Sequence, residues 1–360
     1  MKRSFILLIF MSLQTLSWGQ GSVHVLGWYG SIPQKVITQF EKETGIKVQF
    51  DAMDSNEMLE AKLLVGSSGY DVVFPSLWPF AARQISANLY QELDLSKLKN
   101  YPNILPTYLQ RCASGDHGNK HLVPYTWGLV AIAYHEKILS KGIPGTYDQS
   151  WALLFDPVFV AKLAPLGVSL VDDAGEVFLS LMLYLGQTKP QNLNPKILKD
   201  LKEDLLKIRP FIKKFDSTLS TEHLISGELS IVQCWRDTMY QTLKKHNLLG
   251  KDHPYRIVLP KEGTIMWLDC MAIPKSAPNL ENAYKFIDFL LRPDISAEIT
   301  NSLFLATTVK NDKYLEPAIK KDPLIFPPKS YMKNVVMAEV KSLEIQNAMT
   351  RTFTKVVANK

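Results

Sequence analysis

Between Ser22 and Phe74 the sequence alternates between short apolar runs and segments whose apolar residues recur every three or four positions. Ser22–Gly27 reads as a strand, and Trp28-Tyr29-Gly30-Ser31-Ile32-Pro33 breaks it. Pro33 suits the first turn of a helix, Val36, Ile37 and Phe40 give that helix its apolar stripe, and Gly45 ends it. Ile46–Phe50 is a second strand. Strand, helix and strand at this spacing make a βαβ unit, which commits the region to a parallel sheet covered by helices. A helix over Asp54–Val65 and a buried strand over Tyr70–Phe74 extend the pattern. Trp28, Ser76 and Trp78 then fall at the carboxyl ends of parallel strands, where open α/β sheets bind ligands.

The alternation resumes further along. Phe80–Ala87 reads as a helix, and His121–Tyr125 and Gly128–Tyr134 as strands either side of Trp127, itself a core-packing residue. A stretch rich in Gly and Pro up to Pro157 reads as a crossing between lobes. Leu166–Val171 is a strand, Asp172-Asp173 precede a helix over Ala174–Leu185, and Lys196–Phe215 is a charged amphipathic helix interrupted at Pro210. The strand Leu229–Cys234 is closed by Trp235-Arg236-Asp237. Gly263–Pro274, read as a strand, puts Trp267 and Asp269 on one face and Met266 and Leu268 on the other, toward a core. An indole and a carboxylate side by side suit a cation that is both stacked upon and neutralised, although a half-buried strand with a turn-capping Asp has the same pattern. Two α/β lobes, with the chain leaving one and returning to it, place a ligand cleft between lobes that close by a hinge.

The chain begins with Lys2-Arg3, an apolar run Phe5–Leu13 and a polar stretch ending near Ser17-Trp18-Gly19. That is the pattern of a secretory signal peptide over residues 1–19, and it implies an exported, soluble product. The run is too short to span a bilayer. The formal net charge of +6 is dispersed, with no basic patch interleaved with aromatics, so nucleic acid is not an expected partner. Three cysteines, Cys112, Cys234 and Cys270, allow at most one internal disulfide. His117 and His121, near Cys112 and Asp116, have a spacing compatible with a metal, but Gly115 and Gly118 favour a plain loop, and no metal or cofactor is expected. Paired carboxylates without an activated nucleophile point away from an enzyme.

Several segments carry a more specific likeness. Phe40–Val48, Asp54-Ser55-Asn56-Glu57, Gly69–Val73, Pro124–Gly128, Asp172–Phe178, Trp267-Leu268-Asp269 and Phe289–Asp294 occur in the order found in the periplasmic spermidine/putrescine-binding proteins, which the chain resembles over most of its mature length. The resemblance implies a two-lobed, type II periplasmic-binding-protein-like α/β fold. It also implies delivery of a polyamine to the permease subunits of an ABC transporter by a monomeric periplasmic protein. The first lobe is expected over residues 22–134 and about 262–308, and the second over 135–261 and about 309–360.

In that family aromatic side chains box the methylene chain while carboxylates take the ammonium groups. Carried over residue by residue, the resemblance implies ligand contacts from Trp28, Ser76, Trp78, Asp173, Glu176, Trp235, Asp237, Trp267, Asp269 and Gln346, with Tyr29 and Ser31 standing near the place of a further aromatic. Asp173-x-x-Glu176 also has the form of a helix-capping box, and the two roles are compatible. Departures bear on the ligand. Ser31 occupies the expected aromatic position, Phe304-Leu305 stand where a tyrosine is common, and Arg236 brings a cation next to a cation site. They leave open putrescine against spermidine, a different cationic or amino-acid-like ligand, and a polyamine-sensing adaptor for a membrane receptor.

Overall fold

The protein, represented by a computed structural model, is described over residues 21–142, 149–340 and 342–358. The expected signal segment at residues 1–19 lies outside the described residues. Strand β1 (Ser22–Trp28) pairs in parallel with β2 (Lys47–Met53) on one side and β3 (Val72–Val73) on the other, the predicted βαβ arrangement. The helix Gln34–Thr44 between them buries Val36, Ile37 and Phe40. It stops at Gly45, whose φ of 72° lets its N–H reach the Glu41 carbonyl. The next helix, Asn56–Leu64, starts two residues later than expected because the Ser55 hydroxyl accepts the Met58 N–H as its cap.

The remaining strands are β4 (Leu122–His135), β5 (Val168–Leu170), β6 (Lys214–Phe215), β7 (Ile231–Trp235), β8 (Tyr255–Val258), β9 (Ile265–Ala272), β10 (Ala306–Thr307) and β11 (Val336–Met337). They extend the sheet in the order β2-β1-β3-β9-β4-β7-β5-β6, with β10 and β8 added to β4 and β11 to β9. The two strands expected around Trp127 are one, β4. A register shift between Pro124 and Thr126 absorbs the proline, which has no N–H for the ladder. The stretch expected as a Gly/Pro-rich crossing is partly helical, over Glu136–Gly142, Ala152–Phe155 and Pro157–Leu163.

Buried side chains divide into two main cores. The first gathers Val25, Phe40, Phe74, Leu129, Met266 and Phe286, and the second Val130, Phe155, Val168, Phe178, Ile265 and Phe353. The backbone passes from one core to the other over Leu129–Ile132, where successive side chains alternate between the two, at Ile265/Met266 and around Val336–Ala338. These crossings are neighbours in the sheet, since Met266 pairs with both Leu129 and Met337. Val309, Ile319, Ile325, Val335 and Met337 pack in the first core rather than the second, so the last crossing comes later than residue 308. The helix Leu343–Ala358 then returns to the second core through Ile345, Met349, Phe353 and Val356.

All three cysteines are buried free thiols. Asp116, near His117 and His121, is spent on its own loop: its carboxylate accepts the N–H groups of His121 and Leu122 and bonds the His121 ring. Among the described residues no helix is long and apolar enough to cross a membrane.

Candidate functional site

Where β4 and β9 leave the first core, Gly128 lies opposite Trp267. A Cβ on Gly128 would fall 2.2 Å from Trp267 Cζ2 and 2.8 Å from Asp237 Oδ1, so the indole and the carboxylate meet over a bare backbone. Asp237 opens the helix Arg236–Lys245 directly after β7 and is 7% exposed. Two residues beyond Trp267, on the same face of β9, Asp269 is 9% exposed and accepts the Ser76 hydroxyl at 2.7 Å. Ser76 is held in turn by Asn56, whose side-chain oxygen accepts the Ser76 N–H at 3.0 Å and whose amide donates to its hydroxyl at 3.2 Å. Half-buried Trp28, at the end of β1, stands close enough to Asp269 to favour its charged form, yet its indole N–H makes no well-formed hydrogen bond.

The opposing wall comes from the second core. Asp173 caps the helix Ala174–Tyr184 by accepting the Glu176 N–H at 2.8 Å, but the reciprocal half of the capping box is absent because the Glu176 carboxylate is turned to Trp235 instead. Glu176 accepts the Trp235 indole N–H at 2.8 Å through one oxygen, while its other oxygen is buried without a partner. Asp173 itself is exposed to water at the start of that helix.

These four carboxylates share one electrostatic environment. Burial pushes the Asp269 pKa up to about 7, with Asp237 adding to the rise and the Ser76 hydroxyl opposing it. Burial raises Glu176 well above the usual carboxylate range, and Asp173, Asp237 and Asp269 push it the same way. Asp173 is raised by desolvation, against its cap hydrogen bond, with Glu57 of the helix Asn56–Leu64 adding to the shift. Asp237 is raised by burial and held back by Arg236. Half of the twelve expected contact residues carry a buried polar atom without a partner: Trp28 Nε1, Ser31 Oγ, Glu176 Oε2, Asp237 Oδ1, Trp267 Nε1 and Gln346 Oε1. Buried polar groups in a finished protein are almost always paired, so a concentration of exceptions marks a place for something else to bind.

Residues 35–327 match the family described as bacterial extracellular solute-binding protein. The chain belongs to this family. Among its relatives, the putrescine-binding periplasmic protein SpuD of Pseudomonas aeruginosa is 38% identical over 340 residues, covering 94% of this chain and 92% of that protein. The putrescine-binding periplasmic protein PotF of Escherichia coli is 34% identical, covering 98% and 96%. The spermidine/putrescine ABC transporter substrate-binding protein PotD of Streptococcus pneumoniae superposes with a TM-score of 0.79 at 27% identity, covering 93% of this chain and 98% of that one. The two-lobed type II fold expected from sequence is therefore the fold of this chain.

Within this family member the expected residues do not all converge. Tyr29 is 88% exposed: its N–H continues the β1–β2 ladder to the Met53 carbonyl, and strand alternation turns its ring away from the side taken by Trp28. Ser31 is buried beside Trp28, its N–H bonded to the Trp28 carbonyl and its own carbonyl accepting the Tyr125 hydroxyl. Trp78 is half-buried and donates its indole N–H to Ser114 at 2.9 Å. Gln346 donates to the Val340 carbonyl at 2.6 Å, just past the third crossing. Arg236 turns away from the cleft: its guanidinium bonds the carbonyls of Leu324, Ile325 and Phe304 at 3.0, 3.1 and 3.3 Å. Sequence reasoning missed Asn56 and Gly128. A glycine inside an apolar strand is a signal of close approach and could have found the second, while Asn56 lies in a segment that carries the family likeness and whose place beside Ser76 depends on the fold.

Proposed function

We propose that this chain is the ligand-capturing component of a polyamine importer. It is exported to the periplasm, binds putrescine and/or spermidine in the interlobe cleft as a monomer, and hands it to the permease subunits of an ABC transporter without any chemical step. Asp173, Glu176, Asp237 and Asp269 take the ammonium groups. Trp28, Trp235 and Trp267 flank the methylene chain, Ser76 orients Asp269, and Trp78, Ser31 and Gln346 supply polar or edge contacts, while Tyr29 drops out of the set. The first lobe then comprises about residues 22–129 with 266–337, and the second about 130–265 with the remainder.

The observation that carries this reading is the set of buried carboxylate oxygens left without a donor, at Glu176 and Asp237, among indole rings. Burying ionised carboxylates without counter-charge is prohibitive, and an alkylammonium supplies both the charge and the missing N–H donors. Each tryptophan face adds roughly 0.5–2 kcal/mol toward a cation. The relatives named as putrescine-binding point the same way.

Calorimetric titration of refolded, ligand-stripped protein with putrescine, spermidine, cadaverine and arginine tests the proposal. Tight binding of a linear polyamine, weakened by orders of magnitude in Asp269→Asn, is expected. A folded protein that binds none of the polyamines refutes it, and unaltered affinity in the variant refutes the site.

A further inference from the structure

A cavity of about 400 Å³ lies where the helix Pro106–Cys112 of the first lobe, residues 188–191 of the second and the third crossing meet. None of the twelve expected contact residues lines it; Trp78 is bonded to one lining residue, Ser114. The first-lobe wall stands on the other face of the sheet from Trp267 and Asp269. Gly128 points toward Trp267, so its neighbour Trp127 points the opposite way, and there the Tyr108 ring of this helix stacks on it with centroids 5.6 Å apart.

Tyr108 and Cys112 turn inward to the first core, which leaves Thr107 and Arg111, one helical turn apart, to the cavity. Glu339, just past β11, lines it as well, and buried Pro190 and Met337 supply an apolar patch. Arg111 and Glu339 are half-buried charges of opposite sign in one cavity, yet among the described residues they form no ion pair and neither side chain has another partner. Other half-buried arginines are anchored: Arg83 on Glu60, Arg292 on Glu43 and Asp294, and Arg209 on backbone carbonyls. A polyamine cannot satisfy this cavity, because Arg111 repels it, and an inorganic anion leaves Glu339 unmet.

We propose that the cavity is a second small-molecule site, for the zwitterion of a neutral α-amino acid. Arg111 takes the carboxylate, Glu339 takes the ammonium, and the side chain lies against Met337 and Pro190. Two lining charges that cancel match a ligand without net charge, and the volume is that of an ordinary small-molecule pocket. The walls belong to both lobes, so occupancy bears on their separation. Any factor by which the amino acid changes polyamine affinity is returned by the polyamine in equal measure.

The test is calorimetric titration of the ligand-stripped full chain with glycine, alanine, serine and glutamine, alone and with putrescine at saturation. Saturable binding of at least one amino acid, one per chain, is expected under both conditions. Its N-acetyl and carboxamide derivatives, which each lack one charge, should bind at least about tenfold more weakly. Arg111→Gln and Glu339→Gln should lose the amino acid by a similar factor and still bind putrescine. Absence of saturable binding by all four amino acids overturns the proposal. So does simple competition with putrescine, which would put the amino acid in the polyamine cleft, or equal binding by the derivatives. A chain that binds no polyamine removes the function proposed above, while the titrations without putrescine still decide this site.

Discussion

Asp269 makes the ligand-free protein a case in which acid stabilises rather than destabilises one site. Its carboxyl titrates near pH 7 in the folded chain because of burial, against about 3.9 for an unfolded aspartate. Above pH 7 both states are ionised and the folded state carries the whole penalty; below about 3.9 both are protonated and the penalty vanishes. Between these values the folded chain binds more protons, so this site lowers stability as pH rises, by about 1.4 kcal/mol per unit. The Asp269→Asn variant keeps an oxygen to accept the Ser76 hydroxyl and removes the charge. Chemical denaturation of ligand-free wild type and variant at pH 5, 6, 7 and 8 isolates the contribution, since ion pairs elsewhere, such as Glu222 with Lys245, are common to both. The stability advantage of the variant should grow by roughly 3 kcal/mol from pH 5 to pH 8, nearly all of it below pH 7.5. A difference independent of pH would show that Asp269 is ionised at the same pH folded and unfolded, and would refute the electrostatic description of the cleft.

Gly128→Ala drives a methyl group into Trp267 and Asp237; it should cost about 1–3 kcal/mol in thermal unfolding and abolish polyamine binding in titrations. Trp235→Phe keeps an aromatic wall but leaves both Glu176 oxygens without their protein donor, and denaturation should register a loss of about 1–3 kcal/mol at a pH where Glu176 is ionised. Arg236→Lys should unfold at lower denaturant than wild type, because a single ammonium cannot reproduce a planar fork that serves three carbonyls. In the native protein Cys112, Cys234 and Cys270 should resist a thiol reagent, and all three should react once denatured.

The local period of the chain was legible where each element stands alone. The βαβ start, the Gly45 stop and the Trp267–Asp269 face follow from alternation, backbone freedom and capping, all of which act over a few residues. Errors arose where a distant partner decides. The break expected at Thr126-Trp127 is absent, because pairing with β9 carries the ladder through it past a register shift at Pro124/Thr126. Arg236 reads as an intruder in a cation site because its neighbours in sequence are Trp235 and Asp237; its actual partners are carbonyls at positions 304, 324 and 325. Tyr29 and Trp28 are adjacent aromatics, and only the strand pleat distinguishes the one that can face a ligand from the one that faces water. The packing of residues 309–337 with the first core depends on contacts far away in sequence, and their mixed, proline-bearing composition carries no trace of them.

The three crossings lie side by side at Leu129, Met266 and Met337, the line about which a hinge between the lobes would turn. Gly128 and Trp267 are each one residue from that line, and Asp237 rests against them. When one lobe rotates against the other, this inner corner travels through the shortest arc, while Asp173 and Glu57, on opposite lobes, travel through longer ones. A guest can thus be seated by its inner end in a corner that hardly moves, and its outer end is enclosed when the lobes come together. In the proposed reading, the lifetime of the complex is then tuned at the rim without rebuilding the seat.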